Sequence, residues 1–286
     1  MRGASGQWRA HVTHRIRAAA AAALVGLVVA ATPASALTPS GPRTVAARNV
    51  VPPPSLYLFY ASGFRFQDPN PYACTSTNAM DMLNFIALAG RGGGGFGWRV
   101  DVRGSTRDAI LAWERTHDTL GGGNGSDPHG WRNALNAYGW GEDTLLAGRR
   151  VYDDFAFTTY DAAVKSAVRS MALYRKPVGV LAWAGAHAEM LVGYYGLSGD
   201  PFEKDSFGRY TDAFTVGGFY LADPLQSQGF VNVRVPYLTF KTTPNLKLRF
   251  RAYLQTDSPY DDPYTPGTKP ARDEWYGKFV TIAPVR

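Results

Sequence analysis

The chain holds a single cysteine, Cys74, so no disulfide can form within it and its fold must rest on a buried core. That cysteine stands at the head of the stretch most able to form such a core. Pro69 and Pro71 hold the preceding chain in a turn or extended path. Beyond it, Ala79, Leu83, Ile86 and Gly90 recur at helical spacing, and Met80, Met82, Phe85, Leu88 and Ala89 make the other faces apolar too. A segment that is apolar almost all round is a buried central helix. The pattern therefore predicts a helix from Cys74 to about Gly90, with Thr75, Ser76 and Asn78 serving its first turn. A lone cysteine can also be a small buried hydrophobe. At a helix start, however, unpaired N–H groups and the positive end of the helix dipole favour a thiolate.

A hydrophobic content of 45% with 13% aromatics supports a sizeable core, in one large domain or two small ones. The formal charge of +7 is misleading, because Arg2, Arg9, Arg15 and Arg17 lie in the first 36 residues, which contain no acid. Without them the remainder carries +3, no argument for a nucleic-acid or anionic-membrane partner. Residues 1–36 read as a secretory signal peptide. They combine those arginines, a short apolar run from Ala18 to Ala31, and an Ala34-Ser35-Ala36 cleavage site. A retained N-terminal anchor is the alternative. No later stretch is a transmembrane candidate, so the expected product is secreted, with no integral membrane segment after signal removal. Residues 37–56, with Pro39, Pro42 and the run Pro52-Pro53-Pro54, read as a linker or leading arm, and 57–286 as the folded domain.

The glycine-rich run from Gly90 to Gly97 lacks the Lys-Ser/Thr pair of a phosphate loop and reads as a surface loop. Ser105 and Asp108 suggest a capping box opening a helix to about Thr116. After a second glycine run, Gly121 to Gly125, Ser126-Asp127-Pro128 opens a helix with Trp131, Leu135 and Tyr138 on one face. Thr158 and Asp161 open another, with Val164, Ala167, Val168 and Met171 in register. From Val178 the texture becomes β: Val178 to Trp183, His187 to Tyr195, Phe214 to Ala222, an alternation through Leu246, Leu248 and Phe250, and Lys278 to Ile282. Helices followed by an antiparallel sheet make an α+β fold.

The candidate catalytic set is Cys74, His187 and Asp223, with Gln67 beside it. Nucleophilic thiol chemistry needs a thiolate, a base that forms it and later protonates the leaving group, and a polar group that orients the base. His187 opens one expected strand and Asp223 closes another before Pro224, so adjacent antiparallel strands would set them side by side. The Gln67 side-chain amide could serve as an oxyanion donor together with the Cys74 N–H. Singly, each has a plainer role: a core histidine, a turn aspartate, a surface glutamine. His129 is the rival base. No Cys-x-x-Cys, His-x-x-x-His or Gly-x-Ser-x-Gly pattern occurs.

Gln67 upstream of a cysteine at a helix start, His187 in Ala186-His187-Ala188-Glu189-Met190-Leu191-Val192-Gly193-Tyr194, and Leu221-Ala222-Asp223-Pro224 resemble the papain-like cysteine peptidases. Within them the chain is similar to the bacterial double-glycine-leader (bacteriocin-processing) peptidase domain, over roughly residues 57–225. It carries Thr75 where glycine commonly follows the cysteine, and an inserted loop around Leu197–Ala213. The resemblance implies a papain-like fold, with the N-terminal helices, including the central catalytic one, packed on the C-terminal sheet. It also implies a thiol hydrolase in which Cys74 is nucleophile, His187 base and acid, Asp223 orienter and Gln67 oxyanion donor. The implied substrate is a peptide, protein or peptidoglycan-type amide, with no cofactor and no metal. A non-catalytic secreted binding module on the same fold, or a cell-wall amidase or acyl transferase on the same triad, are the alternatives.

The cleavage signal makes Leu37 the expected mature N-terminus. N-terminal sequencing of exported protein checks this, and intact residues 1–36 in a membrane fraction would refute it.

Overall fold

In the computed structural model the described residues are 51–90, 97–120, 123–225, 231–242, 249–255, 264 and 274–286. The expected signal peptide, its cleavage site, most of the leading arm, glycines 92–95 and 121–122, and the alternation at Leu246 and Leu248 lie outside them. The expected central helix is α1, Cys74–Leu88, buried without interruption from Thr75 to Ile86. Its polar residues are buried as well, and they tie loops to the helix. Both carboxylate oxygens of Asp81 accept the Arg65 N–H at 3.1 Å. Asn84 donates to the carbonyls of Gly63 (2.9 Å) and Asp101 (2.7 Å) and accepts from the Trp98 indole at 3.1 Å.

Two helices pack on α1: α2, Gly104–His117, and α3, Pro128–Trp140. The start of α3 is as expected, with Pro128 in its first turn and the Asp127 carboxylate accepting the Gly130 N–H at 2.9 Å. The capping box expected for α2 does not form. Arg103 precedes the helix without a side-chain cap, and Asp108 takes the Arg107 guanidinium at 2.9 Å instead. A charged donor outcompetes a backbone amide for that carboxylate. Helix α4, Tyr160–Tyr174, begins one residue later than Thr158 implied, because the Thr159 hydroxyl caps the Ala162 N–H at 3.2 Å.

The sheet is antiparallel at every pairing among the described strands. The strands are β1 (Ser55–Tyr57), β2 (Tyr152–Phe157), β3 (Val178–Ala182), β4 (His187–Tyr195), β5 (Gly218–Ala222), β6 (Val233–Pro236) and β7 (Phe279–Pro284). They run in the order β2-β7-β3-β4-β5-β6, with β1 added to β4. The mixed α+β class stands; β6 was not expected, and the strand expected over Lys278 to Ile282 runs from Phe279 to Pro284. Strand β2 precedes α4, and β5 begins at Gly218 rather than Phe214. No apolar alternation announced β2; Asn136 of α3 anchors it, accepting the N–H groups of Val151 (2.8 Å) and Tyr152 (3.1 Å).

One core lies between the sheet and α1–α3, where Met82 and Phe85 join Leu181, Ala188, Met190 and Ile282. A second lies on the α4 face, where Val164 and Val168 join Val180, Leu191 and Leu221. Alternation along β3 and β4 deals residues to the two cores in turn. Among the described residues no helix is long and apolar enough to cross a membrane. A Cβ at Gly179 on β3 would sit 2.3 Å from the Trp131 ring of α3, so glycine here is required by packing. Gly179→Ala is expected to cost about 1–3 kcal/mol through this overpacking. Urea unfolding should show a lower midpoint at unchanged slope, whereas a stability equal to the parent's would refute the packing argument.

Candidate active site

Cys74 is the first residue of α1 and is half-buried. The polar residues after it do not cap the helix as the sequence implied. The hydroxyls of Ser76 (3.2 Å) and Thr77 (2.5 Å) donate back to the Ala73 carbonyl. Thr75 donates to the Glu114 carboxylate at 2.7 Å. Such back-bonding is a common alternative for hydroxyls inside a helical turn. The Asn78 amide donates at 2.8 Å both to the Cys74 carbonyl and to the Ala188 carbonyl on β4. It thereby fastens the start of α1 to the start of β4.

The pairing of β4 with β5 brings the other two residues together. Met190 faces Ala222, so the ladder carried to the strand ends sets His187 and Asp223 near one another. His187 Nε2 lies 2.7 Å from Asp223 Oδ1, with both side chains buried. Asp223 Oδ1 also accepts the Leu225 N–H at 2.8 Å. With Nε2 engaged by Asp223, Nδ1 is the ring nitrogen left for Cys74.

The electrostatics of the pair are reciprocal. Burial pushes the Cys74 thiol up. The hydrogen bond and charge of His187, with the N–H groups of Ala188 and Thr75, outweigh this and leave it below its ordinary value. Burial pulls His187 down, but its bonds to Asp223 and Cys74 and their charges push it up to about 10. The two shifts are opposite in sign and arise from the same contact, so they belong to the pair rather than to either residue alone.

The structure places Gln67 nearby and occupied. It is buried, its side-chain Nε2 donates to the Pro71 carbonyl at 3.0 Å, and its backbone N–H donates to the Pro224 carbonyl at 2.8 Å. One amide hydrogen of the side chain remains beyond the Pro71 bond. A cavity of about 290 Å³ opens on Cys74 and His187 and is lined further by Thr75, Asp127, Tyr253 and Gln255.

Two buried acids beside the triad were not singled out from the sequence. Glu114 receives the Thr75 hydroxyl, and burial pushes it well above the carboxylate range despite that bond. Glu189 on β4 is fully buried and is likewise pushed well up by burial. Its signal was available, as the only acid within an otherwise apolar strand. His129, the rival base, belongs to a separate cluster. It contacts Thr119 at 3.1 Å, Glu274 at 3.3 Å and Asp154 at 3.7 Å, and packs 4.4 Å from Trp275.

Two groups hold metal-type donor atoms within 4.8 Å of one another: His129, Asp154 and Glu274, and His187, Glu189 and Asp223. In the first, Asp154 is already paired with Arg132 at 2.5 Å and bonded by Trp275 at 3.1 Å. In the second, the His187 nitrogen is already bonded to Asp223. In each set a donor atom is therefore already engaged by another side chain, and of the six residues Glu189 alone has no side-chain hydrogen bond. Comparison with family models, with curated proteins and with solved structures gives no match.

The reciprocal shifts fix a pH window. Alkylation of Cys74 by iodoacetamide should begin well below pH ~8.5, where an ordinary thiol ionises. The pairing with the imidazolium should then be lost as His187 gives up its proton near pH 10. Rates measured from pH 4 to 11 check this, and a single ordinary thiol titration would refute it.

Proposed function

We propose that this chain is a secreted thiol hydrolase of papain-like fold that cleaves a peptide or amide bond in a peptide, protein or peptidoglycan-type substrate. The observation that carries the reading is one arrangement: a cysteine at the start of a buried helix, beside a histidine whose far nitrogen bonds a buried aspartate at 2.7 Å.

In the proposed cycle the Cys74 thiolate attacks the carbonyl carbon, forming a C–S bond and a tetrahedral oxyanion. His187 carries the proton taken from the thiol. As the oxyanion collapses, the C–N bond breaks and His187 delivers that proton to the departing amine, leaving an acyl-thioester on Cys74. Water then attacks the thioester, His187 takes its proton, and the C–S bond breaks to give the acid and restore the thiolate–imidazolium pair. Asp223 keeps the ring oriented and balances its positive charge. The Gln67 amide is the side-chain candidate for the oxyanion. The cycle uses only side chains and water. The small cavity and its mixed lining of Asp127, Tyr253 and Gln255 suit a polar chain segment entering beside Cys74.

The test is turnover of casein, fluorogenic peptide amides and peptidoglycan sacculi by purified variants, with circular dichroism as the fold control. Cys74→Ala and His187→Ala should fall to background, and the double variant no further, because the pair acts as a unit. Asp223→Ala should lose less. Gln67→Ala should lower turnover by roughly 10²–10³-fold as an oxyanion donor would. A folded Cys74→Ala protein with parental turnover would end the hydrolase reading.

A further inference from the structure

The proposed cycle leaves Glu189 unused, and the structure leaves it without a partner. It is fully buried, and neither carboxyl oxygen has a hydrogen bond. The second oxygen of Asp223, Oδ2, also lacks one. The β4–β5 ladder pairs Met190 with Ala222, and one step further sets Glu189 beside Asp223. Glu189 lies two residues along the strand from His187, so their side chains project in a common direction. Functional atoms of His187, Glu189 and Asp223 all lie within 4.8 Å of one another.

Three unpartnered carboxyl oxygens with no donor among them are costly in a dry interior. Two carboxylates held this close and away from water do not both ionise. A single proton resolves both problems, because a protonated carboxyl becomes a donor. Which acid holds it follows from the neighbours. Asp223 receives His187 at 2.7 Å and the Leu225 N–H at 2.8 Å, both of which favour its anion, while Glu189 receives nothing.

We propose that Glu189 is a positioning residue of the triad, which keeps its proton and donates it to Asp223 Oδ2, holding Asp223 as the anion that faces His187. This rests on the Cys–His–Asp reading above. The charged groups acting on Glu189 agree with that placement. Burial is the largest influence and pushes it up; the charges of Asp223, just after β5, and Cys74 on α1 add to this, and His187 alone opposes. Its partner on β3 is Val180, which in turn pairs with Thr281 on β7, so no charge faces it from those strands.

The experiment is the pH profile of Cys74 alkylation by iodoacetamide on the full chain, which needs no substrate, together with thermal melting. In Glu189→Leu the donor is gone, Asp223 is less well held, and the midpoint should rise by about one unit, a roughly tenfold lower thiolate fraction at a fixed acidic pH. Glu189→Gln keeps an N–H donor and should restore most of the parental midpoint. The melting temperature of Glu189→Leu should fall and that of Glu189→Gln should stay near the parent's, since leucine leaves the buried Asp223 Oδ2 without its donor and glutamine does not. Should Glu189→Leu fail to fold, Glu189→Met is read the same way. A parental midpoint that is low, with Glu189→Leu at the same value, would overturn the proposal and leave the triad standing. Equal shifts in the leucine and glutamine variants would also overturn it, because donation would not be the means. A parental midpoint at the value of a free thiol would bring down the triad reading itself, and this inference with it.

Discussion

The Asn78 side chain joins the two halves of the molecule at the point where chemistry is arranged. Its amide reaches the carbonyl of Cys74 on α1 and the carbonyl of Ala188 on β4 in the same gesture, each at 2.8 Å. Helix and strand come from parts of the chain more than 100 residues apart, and their relative placement sets the distance between thiol and imidazole. Burial of α1 supplies the force that holds them together, and the amide supplies the register. Apolar packing is non-directional and would tolerate a small slide of the helix, whereas two hydrogen bonds from one planar group do not.

The sheet then performs the same service for the acid. A histidine at the start of one strand and an aspartate after the end of its neighbour are forced together by antiparallel pairing. Their surroundings are dry, which makes each charge expensive unless it is matched. The site answers with a cysteine lowered and a histidine raised by their mutual contact, an aspartate bonded to the ring, and further acids pushed up by burial. The His129 cluster follows the same logic around Arg132 and Asp154 without sharing a group with the cysteine.

Several features were legible before any coordinates. The central helix was readable because its apolar residues cover every face, a pattern that admits only burial. The Asp127-Pro128 start of α3 was readable because both residues act locally, one through its carboxylate and the other through its fixed φ. The starts of β3 and β4, and their sharp connection through Ala184-Gly185-Ala186, followed from the apolar runs and small residues. Capping at α1 and α2 was misjudged because Thr75, Ser76 and Asp108 take other partners: the Glu114 carboxylate, the Ala73 carbonyl and the Arg107 guanidinium. Strand β2 was missed because its sequence, Tyr-Asp-Asp-Phe-Ala-Phe, has no alternation, and its place depends on Asn136 and on pairing with β7 at the far end of the chain.

By itself, then, the sequence determined the local commitments: where α1, α3, β3 and β4 begin, that Cys74 heads a buried helix, and which residue types could serve a thiol. These depend on interactions within a few residues, which spacing and residue chemistry expose. Only the tertiary structure decided what those residues meet. It joined His187 to Asp223, gave the amide of Gln67 to Pro71, and set the buried Glu189 within 4.8 Å of Asp223. Such contacts depend on strand register and on which groups are cut off from water, and no short stretch of sequence encodes either.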